Sequence, residues 1–518
     1  MSTATSADAA TGPLLRYFSG LTRAALDRLY ADGWTCQGLL RALPSMARLY
    51  VLRLACAQED VPVAVVDAWK RADSSTATLR HAQALMVLER LSLIEKSLAP
   101  GGGTSWRLHR GFAKQLLDGL CIGGVLDAEC ERDFGSAALS SGSSGAPVLD
   151  QLERHAHSTW ERVLQAIIAP PDDDIELTMQ CDGATMQELL IEADLLGYAP
   201  NDGGTDVDDT GALPARFTMS RQAPRYLLLP THAQVWRLVR AYMKLSEKGT
   251  PGTQHGVLCF LMRLGLLRLG RAYRMDDAAL DEAQRATLAD MALLGLIYRP
   301  EETPELYYAT PLCQYLLSTS AGAGAAAASS ETDRAGAANG NGAVASGAGS
   351  GGEGGGGFLV LETNFRVYAY TGSTLWARVL ESFTRLEYVL PNLVIGSLTR
   401  DSIHAAVDAG VSAAEIIQFL ARNAHPRMAK QTPVLPETVV NQIELWVKEK
   451  QRVQYAKARL YQHFSSQAEF LEAEAYANDN KVLIWSKHAP EGMRCLLAVR
   501  ADAHDAMKRF LKARTQHG

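Results

Sequence analysis

The sequence predicts an α+β, mainly helical protein in which tandem winged-helix modules precede two small α/β domains. A helix that runs into a short apolar strand recurs at 85–94, 188–198 and 288–298. A Gly/Ala/Ser run at 318–357 then separates this part from the C-terminal part of the chain. Beyond that run, strict alternation of apolar and polar residues is mixed with helical spacing, which is typical of small α/β units.

The first and third copies of the helix–strand pattern are followed by a candidate wing and then by a second strand. The candidate wings are Pro100–Thr104 and Pro300–Pro304. Three helices and a β-hairpin make a winged-helix module, and the copies lie about 100 residues apart, which is domain spacing rather than solenoid spacing. The predicted modules are 13–135, 147–225 and 226–317.

The Gly/Ala/Ser run is predicted to be a flexible linker over 318–357, with a reach on the order of 35 Å as a random coil. Its composition favours an insertion without a role of its own. Shorter Gly/Ser and Asp/Gly stretches at 135–145 and 201–211 are predicted to be surface loops.

Winged helices often bind DNA through their last helix, so the charges on these helices matter. They are mixed in sign and lack the basic stripe that major-groove binding requires. This favours protein–protein scaffolding and leaves weak DNA contact within an assembly open. The residues are Arg80, His81, Glu89 and Arg90 in the first module, and Glu282, Arg285 and Asp290 in the third.

The segment after the linker begins FLVLETNFRVYAYT, and its alternation predicts one strand over 361–370. One face of that strand is apolar, whereas the other mixes charged and amide groups with tyrosines, which are typical anchors of protein interfaces. The predicted core face is Leu361, Thr363, Phe365, Val367 and Ala369. The predicted docking face is Glu362, Asn364, Arg366, Tyr368 and Tyr370.

Three helix starts are predicted further along. Thr399–Ser402 can cap a helix that Gly410 ends, and Ser412–Glu415 has the spacing of a capping box. Pro436 begins a third helix, whose Val439, Ile443 and Trp446 form one stripe. The predicted domain spans 358–450.

The last part, 451–518, is predicted to be a separate small α/β unit. Its helix is expected over 456–476, its strands at 481–485 and 495–499, and its last helix at 504–513. So short a chain is marginal for an independent core, which suggests that the unit needs a partner.

Composition limits the function classes. The 518-residue chain carries a net charge of −6 and 47% hydrophobic residues. An acidic balance argues against a protein whose main task is to hold the nucleic-acid backbone. The eight cysteines show no paired spacing, so neither a zinc site nor a disulfide framework is indicated. The polar first residues do not resemble a signal peptide, and no apolar run approaches membrane-spanning length.

The sequence has no motif that predicts an enzyme. A P-loop, GxGxxG, HExxH and GxSxG are all missing. His155 and His157 have no third ligand nearby and are interpreted as surface residues of a helix. Asp172–Asp174 is interpreted as a solvated helix start, and Gly101–Gly103 lacks the lysine of a phosphate loop. No cofactor and no metal are predicted.

The chain resembles the fifty-two-kilodalton-class core subunit of TFIIH, the general transcription and nucleotide excision repair factor. The segments that carry the resemblance most strongly are LETNFRVYAYT (361–371), SLTRDSIHAAVDAGVSAAEIIQFLARNAHP (397–426) and KQTPVLPETVVNQIELW (430–446). Weaker similarity runs through 149–164, 224–236 and 453–470. The middle segment is also similar to the N-terminal region of XPB-type helicases.

The resemblance implies a nuclear, non-catalytic scaffold that anchors an XPB-type helicase and stimulates its ATPase. The domain 358–450 would be a clutch-like docking domain for that helicase. The unit 451–518 would be a dimerisation domain for the trichothiodystrophy-A-type small subunit, and other TFIIH core subunits would be further partners. Residues expected to face the small subunit are Val482, Leu483, Ile484, Trp485, Leu496, Leu497 and Val499.

Two other functions stay open at this point. The chain could be a free-standing winged-helix DNA-binding transcription regulator, or a winged-helix scaffold of another large assembly. The acidic balance and the absence of basic recognition helices favour the TFIIH scaffold over the DNA-binding regulator.

Overall fold

In a computed structural model of the chain, contacts divide the protein into two units, 1–443 and 444–518. The structure describes residues 12–57, 59–70, 75–98, 103–121, 149–168, 179, 184–198, 217–249, 253–274, 280–317, 357–452, 457–462, 464, 466–488 and 495–515. The predicted linker before Gly357, the predicted loops at 135–145 and 201–211 and the run Asp172–Asp174 lie outside these residues.

Four helices open the first unit. They are α1 Pro13–Ser19, α2 Arg23–Leu29, α3 Gly33–Ala42 and α4 Ser45–Cys56. Asp32 begins α3 by accepting the Thr35 amide at 2.8 Å. The same carboxylate accepts from Arg263 at 3.3 Å, so this helix is tied to a segment more than 200 residues away.

The next elements are three strands, which form a small sheet against α4, and three helices. They are β1 Val61–Pro62, α5 Val63–Asp67, α6 Ser75–Arg90, β2 Ile94–Leu98, β3 Thr104–Leu108 and α7 Arg110–Cys121. The strands are antiparallel in the order β1-β3-β2. His81 of α6 is buried and bonded to both Tyr50 Oη (2.7 Å) and Asp67 (3.0 Å). The His81 side chain is therefore part of the core of this module.

The middle of the unit is mainly helical. Its elements are α8 Leu149–Ile168, α9 Met186–Glu192, β4 Leu196–Tyr198, β5 Phe217–Met219, α10 Ala223–Leu227 and α11 Thr231–Gly249. The strands β4 and β5 pair antiparallel. Gln234 on α11 is buried and accepts the Trp160 indole N–H at 3.2 Å, so α8 and α11 are joined through a satisfied polar contact.

A second three-stranded sheet comes next along the chain. The elements are α12 Thr253–Leu264, β6 Ala272–Arg274, α13 Glu282–Leu293, β7 Ile297–Tyr298, β8 Leu306–Ala309 and α14 Pro311–Gln314. The strand order is β6-β8-β7. Asp290 of α13 is fully buried and accepts the Tyr242 hydroxyl at 3.0 Å, and Arg285 donates to the Leu280 carbonyl at 2.8 Å.

The segment after Gly357 folds as a four-stranded antiparallel sheet with helices on one face. Its elements are β9 Phe358–Leu361, β10 Arg366–Tyr370, α15 Thr374–Glu381, β11 Arg385–Leu390, β12 Leu393–Ser397, α16 Arg400–Asp408, α17 Ala413–Arg422, α18 Pro426–Ala429 and α19 Glu437–Gln451. The strand order is β11-β12-β10-β9.

The predicted single strand over 361–370 is wrong, because the segment is a hairpin. The chain turns at 362–365, where the Phe365 amide donates to the Glu362 carbonyl at 3.1 Å and Phe365 has φ +70°. Thr363 is consequently exposed, not in the core. The alternation holds within β10, where Val367 and Ala369 are buried.

Both predicted helix caps are present. Thr399 Oγ1 accepts the Ser402 amide at 3.1 Å, and Ser412 and Glu415 form a reciprocal capping box. Gly410 has φ +87°, the left-handed conformation that ends α16. Pro436 directly precedes α19, on which Val439 and Ile443 are buried.

The second unit contains a three-stranded sheet and two long helices. Its elements are β13 Ala458–Tyr461, α20 Gln467–Asp479, β14 Leu483–Lys487, β15 Leu496–Arg500, a 3₁₀ turn Ala501–Ala503 and α21 His504–Thr515. The strand order is β13-β15-β14. The predicted helix over 456–476 is therefore wrong in its first part, because 458–461 pairs with β15 as a strand.

Within the described residues, no single helix is both long and apolar enough to cross a membrane. The helices α16 and α17 reach that apolarity only as a pair, and they are bent by 112° relative to each other.

We expect Thr399→Ala to loosen the start of α16, because the N-cap oxygen satisfies an otherwise unpaired amide. Such caps are worth about 1 kcal/mol, a roughly fivefold change in local opening. Hydrogen–deuterium exchange of the peptide covering 400–408 measures this change. Thr399→Ser keeps the acceptor and is the matched control. Equal exchange in the two variants would contradict the capping role.

Candidate functional site

The candidate site is the outer face of the four-stranded sheet, which we call the docking face. Its first row runs Val360–Tyr368–Ile395–Tyr388, because these residues are direct partners across the four strands. All four are half-buried or exposed. Such a row is an apolar and aromatic strip on the solvent side of the sheet.

A second set of residues continues this strip toward the other end of the strands. Phe358 lies opposite Tyr370, with the two rings stacked at 4.9 Å, and Leu393 lies opposite Leu390. Tyr370 is 45% exposed and Leu390 is 50% exposed. The docking face is therefore wider than one row and is largely apolar.

The inner face of the same sheet is covered. Leu359, Leu361, Val367, Ala369 and Val394 alternate with the outer residues and are all buried. The helices on this side contribute their own buried residues, which are Leu380, Ile403, Ala406, Ile416, Phe419 and Leu420. The helical cover occupies the inner face and leaves the outer face accessible.

The two edges of the sheet differ. At β9, the Leu359 amide donates to the Asn423 carbonyl at 2.7 Å, and the His425 amide donates to the Leu359 carbonyl at 2.8 Å. The chain after α17 thus covers that edge. At the β11 edge, Tyr388 and Val389 are each 61% exposed, and among the described residues β12 is the strand that pairs with β11. Exposed apolar edges are usually sites of pairing with another chain.

Polar groups gather at one end of the docking face. Arg366 forms an ion pair with Glu387 of β11 at 3.3 Å. In the β9–β10 turn, Asn364 donates to the Glu362 carboxylate at 2.8 Å and accepts the Arg366 amide at 3.0 Å. The two charges and the amide are organised by each other, and they form a polar rim beside the apolar rows.

The structure brings part of the predicted docking set together. Arg366, Tyr368 and Tyr370 share the outer side of β10, whereas Glu362 and Asn364 lie in the turn at its start. The residues that sequence reasoning missed are Phe358, Val360, Tyr388, Leu390, Leu393 and Ile395. The alternation in RLEYVL and LVIGS was the available signal, although a bulge between Leu386 and Tyr388 interrupts the first run.

The predicted small-subunit residues separate into two groups in the second unit. Leu497 and Val499 are fully buried in that unit's own core with Phe470 and Met507. Val482 and Leu483 pack against this core. The exposed residues are Ile484 (44%) and Trp485 (48%), together with Leu460 (49%), which the prediction did not include. Leu496 is half-buried.

The described residues contain no cluster of three His, Cys, Asp or Glu side chains that could hold a metal ion. His155 packs against the Tyr298 ring at 4.8 Å, and burial lowers its pKa. His157 approaches Glu161 at 3.8 Å on the same helix. Burial raises the pKa of the Cys313 thiol to about 12, so this sulfur stays protonated and is a poor nucleophile.

Comparison with known proteins gives the family. The model of "Transcription factor Tfb2" matches residues 16–426, and that of "Transcription factor Tfb2 (p52) C-terminal domain" matches residues 441–512. Together the two matches cover both units of the structure.

Full-length relatives agree with these matches. A protein of Arabidopsis thaliana named general transcription and DNA repair factor IIH subunit TFB2 is 30% identical, over 95% of both chains. General transcription factor IIH subunit 4 of Dictyostelium discoideum is 27% identical, over 96% of this chain and 98% of its own length. Subunit TFB2 of Saccharomyces cerevisiae is 26% identical, over 91% and 92%.

The protein is thus of the general transcription factor class. More narrowly, the chain belongs to the Tfb2 (p52) family of subunits of general transcription and DNA repair factor IIH.

Proposed function

We propose that this protein is a non-catalytic scaffold subunit of TFIIH that anchors an XPB-type helicase through its docking face and stimulates the helicase's ATPase. It would act in the nucleus, in RNA polymerase II initiation and in nucleotide excision repair. The names of its relatives support membership of the factor. The observation that carries the anchoring role is the uncovered apolar and aromatic face of the four-stranded sheet.

The composition of the docking face suits a protein partner. Tyrosines are frequent interface anchors because they bury a large apolar ring and still offer a hydroxyl group. Tyr368, Tyr370 and Tyr388 all lie on this face. The Arg366–Glu387 pair at the rim would help to orient the bound partner and would add little to its affinity, because a half-exposed ion pair contributes little energy.

The β11 edge, where β12 is the strand that pairs with β11 among the described residues, gives the partner a second way to bind. A strand added beside β11 would satisfy the edge's backbone groups and cover Val389 at the same time. We infer that the helicase contacts both the face and this edge, because Tyr388 and Leu390 belong to both.

The modules that precede the linker are proposed to be protein-binding winged helices. The order α4-β1-α5-α6-β2-β3, with the sheet order β1-β3-β2, supports this proposal for the first of them. In its last helix, His81 is bonded inward. In α13, Asp290 and Arg285 are likewise engaged within the module. These side chains are therefore used for folding, which supports scaffolding over DNA reading.

The second unit is proposed to bind the trichothiodystrophy-A-type small subunit through the exposed residues of its sheet. Ile484 and Trp485 on β14 and Leu460 on β13 are each close to half exposed. Large apolar side chains in this state on a unit of about 70 residues are typical of a surface that a partner covers.

Stimulation of ATP hydrolysis would act without contact to ATP. The subunit would bind one conformation of the helicase more tightly than the other and so shift their populations. The energy for this shift would come from the docking face.

We expect Tyr388→Ser with Leu390→Ser to weaken capture of the XPB-type helicase by tenfold or more. Removing two half-exposed anchors from the centre of an interface typically costs a few kcal/mol. Titration calorimetry with the full-length chain measures the change. Tyr198→Ser is the control, because Tyr198 is 68% exposed but lies outside this sheet. Unchanged affinity in the double variant would contradict the assignment of the docking face.

For the second unit, Trp485→Ala is expected to weaken small-subunit binding and leave the unit folded, because this ring is half exposed. Leu497→Ala should lower the stability of the unit by about 2–5 kcal/mol, because it opens a cavity in the core. Urea denaturation and pull-down of the small subunit test the two variants. Full small-subunit binding by the folded Trp485 variant would exclude this face.

We expect the purified chain to hydrolyse no ATP and to raise the turnover of the helicase when it is added in equal amount. Coupling between binding sites is usually about 1–3 kcal/mol, which corresponds to roughly 5–150-fold. A steady-state ATPase assay measures the effect, and the Tyr388/Leu390 variant should lose it at concentrations that saturate the wild type. Full stimulation by that variant would rule out the mechanism.

A further inference from the structure

The module that carries the docking face, residues 357–443, has a second contact surface on its helical side. The helix α15 packs against α8, and α17 lies beside the segment 225–228 that includes the end of α10. The sheet is therefore joined to the modules before the linker through its own helical layer. We call this second surface the seat.

Polar contacts hold the seat at three places. Arg225 Nε donates to Glu415 Oε1 at 2.6 Å. Arg422 donates to the Leu228 carbonyl. At the other end, the Ser373 hydroxyl donates to the Glu161 carboxylate. Each contact joins residues that are about 190–210 positions apart in sequence, so they fix tertiary arrangement rather than local structure.

Glu415 links the seat to the fold of α17. Its carboxylate accepts the Ser412 amide at 2.9 Å in the capping box and the Arg225 guanidinium at the same time. Burial would raise the pKa of Glu415, but the hydrogen bonds from Ser412 and Arg225 lower it overall. The carboxylate is thus charged, only 16% exposed, and directed to one cation of the other part of the chain.

Arg422 is the second fixed point. Partial desolvation lowers the pKa of its guanidinium. It donates to backbone carbonyls at Leu228 and, at 3.4 Å, at Gln418. Arg422 is exposed as a residue, but its guanidinium is fixed in position by one carbonyl of its own helix and one of another segment.

The seat is not a dry core. A crevice of about 510 Å³ lies between the two sides, with Trp160, Leu227 and Pro311 on one wall and Trp376 and Phe419 on the other. Polar groups also line it, namely His157, Glu161, His232, Gln234, Arg422 and Asn423. Because this crevice leaves the contact incompletely filled, the seat resembles contacts between domains that open and close.

We infer that Arg225, Glu415 and Arg422 are positioning residues that form a releasable seat. The seat fixes the direction in which the docking face is presented to its partner, and it links the winged-helix modules to that face. The effect on the helicase rests on the proposed function. The seat itself does not, because it is a contact within this chain.

Cutting the chain between the two parts tests the seat directly. A protease site is inserted in the Gly/Ala/Ser-rich sequence 318–356, and the full-length protein is folded before it is cut. After cleavage, a tag on the first part measures how much of the second part remains bound. We expect the wild-type halves to stay together through gel filtration.

Substitutions test whether the cut halves stay together through these specific contacts or through non-specific association. Arg225→Glu and Glu415→Arg should each speed dissociation of the cut halves by about tenfold, because each replaces the ion pair with two like charges at a contact where the Glu415 side chain is only 16% exposed. The combined swap should recover most of the loss. Arg422→Gln should release the halves as well. Arg221→Glu changes an exposed arginine one turn before Arg225 and should have no effect.

Three outcomes decide the inference. Separation of the wild-type halves on cleavage, or single variants that are no weaker than Arg221→Glu, would overturn the seat. With the uncut chain, seat variants should bind the helicase with unchanged Kd but stimulate its ATPase several-fold less, which a loss of folding would not produce. Unchanged stimulation would overturn the positioning role. Failure of the wild type to bind helicase would overturn the anchoring function, whereas the seat is decided by the cleavage assay alone.

Discussion

The fold of the docking module depends on one constraint: its four-stranded sheet has apolar residues on both faces, but the helices of the described residues cover one of them. Leu361, Val367 and Val394 face the helices and are buried, whereas Tyr368, Ile395 and Tyr388 face solvent. Apolar surface left in water on this scale is unfavourable unless a partner covers it. The covered face gives the module its stability, and the uncovered face gives the protein its proposed task.

In the modules before residue 318, some polar side chains are buried and take part in the core. His81 bridges Tyr50 and Asp67, and Asp290 accepts from Tyr242, whereas Arg80, Glu89 and Arg90 on the helix of His81 are exposed. Each such buried group must keep its partner, since an unsatisfied one would cost more than the bond contributes. These bonded polar groups therefore fix the position of the two helices in their modules.

Local signals in the sequence were sufficient for part of this structure. The caps at Thr399 and Ser412 and the turn at Gly410 depend on neighbours within four residues, and all were predictable. The hairpin at 362–365 was not, because Phe365 adopts positive φ without a glycine to indicate it. Strand β13 was also missed, because its pairing with β15 is non-local. The row from Tyr368 through Ile395 to Tyr388 was missed as well, because it depends on the pairing of β10 with β12 and of β12 with β11, and a bulge shifts the register of the second pair.

The arrangement of layers explains how the proposed scaffold could influence a helicase bound to its docking face. The seat holds the helical layer of the module, that layer packs on the sheet, and the sheet offers its outer face to the partner. Closely packed layers move together because interiors are nearly incompressible. A shift at Arg225 or Arg422 would therefore rotate the whole module and reorient Tyr388, without changing the shape of the docking face. Such a device needs little energy at the seat. The Arg225–Glu415 ion pair and the hydrogen bond from Arg422 to the Leu228 carbonyl are enough when the layers that they position are rigid.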